Sequence, residues 1–165
     1  MALIVEDGTG LATAESYVSV AAADTRMTNL GNTNWALLTT AEKEQALRRA
    51  TAAMLQSYRE RWHGVRMTST QALDWPRSGV VVDGYSVASN AVPVDVANAC
   101  ADLAFKAAAG DLTPDLTRGV VREKVGPIET EYDRNSPQSP RRPAIEMMLS
   151  PYLTGSSSMA RLVRA

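Results

Sequence analysis

At 165 residues the chain has the length of one domain, enough to bury roughly two thirds of the surface that its unfolded form exposes. Cys100, the single cysteine, excludes an internal disulfide, and with a single histidine, His63, it falls short of a structural zinc shell. A net charge of −1 argues against a strongly basic nucleic-acid binder. No apolar run approaches the roughly 20 residues that cross a bilayer. The opening "MALIVEDGTG" lacks the basic start and long apolar middle of a signal peptide, so a soluble, cytosolically made protein is expected.

In chain order, "ALIVE" reads as a short strand, and "DGTG" is turn chemistry, with Gly supplying positive φ and Asp bonding its own turn. Ser16 or Ser19 can cap a first helix through "VAAADTRMTNL" that Gly31 stops. The strongest helix signal is "TTAEKEQALRRATAAMLQSYRERW". Thr39 and Glu42 stand at capping-box spacing, Arg59 and Arg61 fill the last turn, and Gly64 follows. Ala46, Leu47, Ala50, Met54, Leu55, Tyr58 and Trp62 form its apolar stripe, which reads as core.

"QALDWPRSGVVVDGYSVASN" reads as an ordered loop lying on the helices, with Pro76 holding Trp75 extended and Trp75 plugging the core. Pro93 is placed at helix position N1. "VDVANACADLAFKAAA" then repeats Val96, Ala99, Cys100, Leu103, Ala104 and Ala107 at helical spacing until Gly110. A Pro- and Ser-rich connector leads to a last helix over 143–152, and the chain closes on "LTGSSSMARLVRA". Fourteen of the seventeen cations are Arg, and after Asp133 five Arg face one acid, Glu146, so the tail is basic.

Between these helices stands "REKVGPIETEYD". If Gly126 and Pro127 form a two-residue type II′ turn, Val125 faces Ile128, Lys124 faces Glu129, Glu123 faces Thr130, Arg122 faces Glu131 and Val121 faces Tyr132. That register gathers opposite charges on one face and Val121, Val125, Ile128 and Tyr132 on the other, and a slip of one residue destroys both sets. A lone two-stranded ribbon is marginal in water, so it needs a partner. Either its apolar side packs on its own helices, or the ribbon reaches a neighbouring subunit.

Chemistry is sparse. "DGTG" lacks the Lys and the strand-to-helix context of a phosphate loop, His63 follows a Trp at a helix end, and Cys100 lies on an apolar helical face. No catalytic, cofactor or metal residue is assigned. Arg48, Arg49, Arg59, Arg61 and Arg66 cluster near Tyr58 and Trp62, but aromatics make up only 5% of the chain, too few for a stacking platform.

"MALIVEDGTGLATAESYVSV", "QALDWPRSGV", "VPVDVANACADLA" and "VREKVGPIETEYD" together resemble a family of small tailed-bacteriophage proteins often labelled DnaT-like single-stranded-DNA-binding proteins. The resemblance spans nearly the whole chain, with "WPRSG" and "EKVGPIETEY" its most specific parts. Such proteins also look like phage head-tail adaptors. The resemblance implies a dodecameric ring beneath the portal protein, located at the virion neck, contacting a downstream tail or neck protein, with genomic double-stranded DNA passing without specific binding. The alternative it carries is a single-stranded-DNA-binding replication accessory.

The expected architecture is mainly α: a small bundle of about four helices with one β-hairpin and extended arms. One adaptor domain would comprise an N-terminal arm (1–15), a helical core (16–112), the hairpin (118–134), a last helix (143–153) and a C-terminal tail (154–165). The expected subunit interface is Val121, Arg122, Lys124, Val125, Gly126, Pro127, Ile128, Glu129, Glu131 and Tyr132. Arg161, Leu162, Val163 and Arg164 of the tail are assigned to the portal or a neighbour, and Leu47, Met54, Tyr58, Trp75 and Leu103 to the core.

Overall fold

The computed structural model of the chain describes residues 2–112, 114, 120–125, 128–132 and 142–155. It is mainly helical. α1 (Val20–Asn29), α2 (Thr33–Ala36), α3 (Thr40–Tyr58), α4 (Val94–Ala109) and α5 (Pro143–Leu149, continued by a 3₁₀ turn over Ser150–Tyr152) form the scaffold. α3 and α4 make the central packed pair; α1 lies against both, and α5 lies on α4.

The helix starts follow local chemistry. The Ser19 hydroxyl accepts from the Ala22 N–H at 3.2 Å and caps α1. At α3 the Thr39 hydroxyl accepts from the Glu42 N–H while the Glu42 carboxylate accepts from the Thr39 N–H at 2.8 Å, closing the capping box. The faces of α3 and α4 that meet are rich in small residues. Ala46, Ala50 and Ala53 on one helix and Ala99, Ala104 and Ala107 on the other are buried, which lets the helices approach closely. Leu47, Met54, Leu103, Trp75 and Tyr58 are all buried in the same core, each larger aliphatic side chain contributing about 1.5–3 kcal/mol.

Several elements differ from expectation, each for a physical reason. "ALIVE" forms an isolated parallel bridge, Val5 to Ser16, with no other strand extending the ladder among the described residues. α3 ends at Tyr58, four residues before Trp62. Trp62 sits in an antiparallel bridge with Leu153, which requires extended backbone. Pro93 is the N-cap of α4, its ψ of 144° still extended, and Val94 is the first helical residue. The stretch read as an ordered loop contains strands: β2 (Arg77–Ser78) pairs with β1 (Val65–Arg66), and β3 (Val81–Val82) pairs with β4 (Tyr85–Ser86). Asp83 (φ 52°) and Gly84 (φ 87°) both hold positive φ between β3 and β4, as a type I′ turn demands.

Candidate functional site

The ribbon singled out by its alternation is present. β5 (Val120–Val125) and β6 (Ile128–Tyr132) are antiparallel, with Val125 opposite Ile128, Lys124 opposite Glu129, Glu123 opposite Thr130 and Arg122 opposite Glu131. The expected Val121–Tyr132 pair is replaced by Val120–Tyr132. A register shift between Val120 and Arg122 leaves Val121 as the extra residue, so the ladder bulges at its open end. Gly126 and Pro127, and with them the expected II′ turn, lie outside the described residues, as do Arg161, Leu162, Val163 and Arg164. The ribbon is a two-stranded sheet without a third strand among the described residues.

The loop 63–80 is fastened by buried polar side chains that sequence reasoning passed over. The Arg77 guanidinium donates to the carbonyls of His63 (2.8 Å), Gly64 (2.7 Å) and Asp74 (3.3 Å). The Gln71 amide donates to Leu73 O (2.9 Å) and Pro76 O (3.1 Å), and its oxygen accepts from the Thr68 N–H. Arg66 donates to Gln71 O. This explains "WPRSG" locally: Trp75 anchors the core, Pro76 follows through a cis peptide bond, and Arg77 ties the loop to the exit of α3. A long polar residue among small and aromatic ones was the visible signal.

The aromatic side chains are largely consumed by this core. Tyr58, Trp62, Trp75 and Tyr152 form a continuous row of edge-to-face contacts with centroid separations of 5.9, 5.7 and 5.7 Å. Trp62 Nε1–H donates to Asp74 Oδ2 at 3.2 Å, Tyr152 O–H donates to Asp95 at 2.9 Å, and Trp35 Nε1–H donates to Asp24 at 2.7 Å. Desolvation pushes the Asp74 carboxyl above its ordinary range, against the pull of Arg59, the Trp62 N–H and Arg77. Burial likewise raises the Cys100 thiol, which lies against Thr51 and Ser16 in the core. Tyr85 on β4 is broadly exposed, at 80%.

Many of the cations face partners within the fold. Arg26 holds Asp102 through two bonds of 2.7 Å, Lys43 meets Asp24 at 2.9 Å, Arg48 meets Glu15 at 2.9 Å and Glu44 at 3.5 Å, and Arg61 stands 3.8 Å from Glu146. Of the Arg residues along and just after α3, Arg48 and Arg61 thus face carboxylates. Among the described residues no cluster of three or more His, Cys, Asp or Glu is placed to hold a metal, and no described helix is long and apolar enough to cross a membrane.

The described residues form a mainly helical domain with a two-stranded antiparallel ribbon, β5–β6. Over residues 1–165 the chain matches the model of the family described as "Putative DnaT-like ssDNA binding protein", and it belongs to that family. No curated protein and no solved structure matches it.

Proposed function

We propose that this protein is a structural, non-enzymatic head-tail adaptor of a tailed bacteriophage, joined into a ring by its ribbon. The observation that carries this reading is the β5–β6 sheet, whose two outer edges have no strand beside them among the described residues. An open edge is a template for another chain, and head-to-tail contact of one surface with a different one closes rings. The sequence resemblance gives the setting: a dodecamer beneath the portal protein at the virion neck, above a downstream tail component, with the double-stranded genome sliding through. The paired surface charges suit such a conduit, since a strongly cationic wall would grip the phosphates. The tail residues Arg161, Leu162, Val163 and Arg164 are assigned to the portal or to a neighbouring subunit.

The test is assembly. Purified protein mixed with portal rings should form a stacked ring visible by electron microscopy, and the protein should be found in purified virions at a copy number matching the portal. Failure of both would refute the reading.

The family description favours a second reading, a single-stranded-DNA-binding replication accessory. Burial of Trp35, Trp62, Trp75, Tyr17, Tyr58 and Tyr152 weighs against it, because base stacking needs exposed rings. Fluorescence anisotropy with a labelled oligothymidine decides between the two. Salt-sensitive binding, weakened steeply on going from low to physiological salt, supports the accessory role, and its absence supports the adaptor.

A further inference from the structure

Exposed apolar side chains recur along one connected region of the described surface: Val65, Met67, Val81, Tyr85 and Val94. The contacts that join them run from β1 to α4. Val65 pairs with Ser78, and Gly64 beside it stands so close to Val80 that a Cβ there would lie 2.8 Å from Val80 Cγ2. Val80 leads into β3, and β3 packs on the 3₁₀ turn that carries Tyr152. The His63 N–H donates to Tyr152 O at 2.9 Å, and the Tyr152 hydroxyl donates to Asp95, the neighbour of Val94 at the start of α4. Burial first, then Asp95 and Asp83, push the Tyr152 hydroxyl up to about 12, so the hairpin's Asp83 lies within electrostatic reach of the same ring.

The β3–β4 hairpin holds its residues out. Its two-residue turn, with both Asp83 and Gly84 at positive φ, fixes the geometry of the strands on either side. Tyr85 is thus offered on a preformed support, and contact there costs little ordering. A Tyr ring is also the kind of side chain that anchors contact surfaces, since it brings a large area on few rotatable bonds.

Charge on this region is divided. Asp83 is exposed on the hairpin side. Arg59 is exposed at the exit of α3, near the loop that β1 opens, where it opposes the effect of burial on Asp74. An apolar region with an acid at one side and a cation at the other complements itself when turned about a two-fold axis.

We infer that this face is where a second copy of the chain docks, in a two-fold contact that sets Tyr85 of each copy on Val65 and Met67 of the other and Asp83 opposite Arg59. So few apolar side chains fall short of the roughly 800 Å² per partner of a stable complex, so the pairing is weak and reversible. The ribbon takes no part in it, and the inference stands apart from the ring reading.

The test uses the full chain with the photoreactive residue benzoylphenylalanine in place of Tyr85, as an equal mixture of ordinary and heavy-isotope-labelled copies. Illumination should join ordinary to heavy copies, with the attachment mapped by peptide mass to residues 59–67. Attachment elsewhere on the second copy, or within one copy only, would overturn the inference. Arg59→Glu sets like charges opposite at Asp83 and should lower the yield about tenfold. Asp83→Asn in the same chain, which keeps a side chain suited to positive φ, should restore most of it. Both positions are exposed, so helix content should not change. A yield indifferent to the two substitutions would overturn the inference equally.

Discussion

Trp62 and Trp75 offer a matched pair of perturbations. Each is nearly fully buried, at 4% and 0% exposure, and each makes two edge-to-face contacts in the same aromatic row. Replacing either by Phe removes a similar apolar area and leaves a similar gap, at about 1 kcal/mol each. Their polar edges differ. Trp62 donates to Asp74 Oδ2, while Asp74 Oδ1 is buried with no partner among the described residues, so Trp62→Phe strands the whole carboxyl. That adds about 1.5–3 kcal/mol. The Trp75 Nε1–H is itself buried without a partner, so Trp75→Phe discards an unsatisfied donor whose burial costs about 1–3 kcal/mol and offsets the lost packing. Trp62→Phe should therefore destabilise by about 3 kcal/mol and Trp75→Phe by about 1 kcal/mol or less. Urea unfolding followed by far-UV circular dichroism measures both without relying on the tryptophan signal. Equal losses, or a larger loss at Trp75, would refute the assignment of the polar edges.

Further outcomes are expected from the same geometry. Thr39→Ala removes the α3 cap and should cost about 1 kcal/mol, read as a lowered thermal midpoint, with Thr39→Ser close to the parent. Because burial raises Asp74 above its unfolded value of 3.8, its contribution to stability is full below that pH and is lost as pH rises through the folded pKa. The difference in urea midpoint between parent and Asp74→Asn should therefore change over that window, and a pH-independent difference would contradict the burial argument. In the ribbon, Lys124→Glu sets like charges opposite at the Glu129 position, a loss of about 0.2–1 kcal/mol per pair. Mass photometry should show ring assembly weakened by Lys124→Glu and restored by adding Glu129→Lys, with helix content unchanged in both.

Much of the scaffold was legible because its signals are local. Thr39 and Glu42 announce the start of α3, and the 3.6-residue recurrence of Val96, Ala99, Cys100 and Leu103 announces α4 and its buried face. The ribbon was legible for the same reason, since its charge alternation admits one register; the bulge at Val121 escaped because nothing in the pattern requires an extra residue there. The 63–80 loop was not legible as structure. Its strands are two residues long, too short for any period, and Arg77 and Gln71 act through carbonyls that only the fold brings to them. The Asp-Gly pair between Val82 and Tyr85 was the available hairpin signal, lost among the turn formers around it. In the candidate site, the ribbon's pairing was legible from the sequence, whereas the bridge between Trp62 and Leu153 was not, since it joins residues far apart in the chain.

The glycine-rich turn near the start of the chain shows how a fold can pre-empt a motif. One Glu6 oxygen accepts from the N–H groups of Gly8 (3.0 Å) and Gly10 (2.8 Å), and the other accepts from Leu11 (2.9 Å). Gly8 meanwhile lies so close to Asn90 that a Cβ there would stand 2.0 Å from its carbonyl oxygen. A concave array of amides of this kind is what an incoming anion would seek. Here a carboxylate from the same turn already fills it, so the loop serves as its own counter-ion while Gly8 packs closely against Asn90.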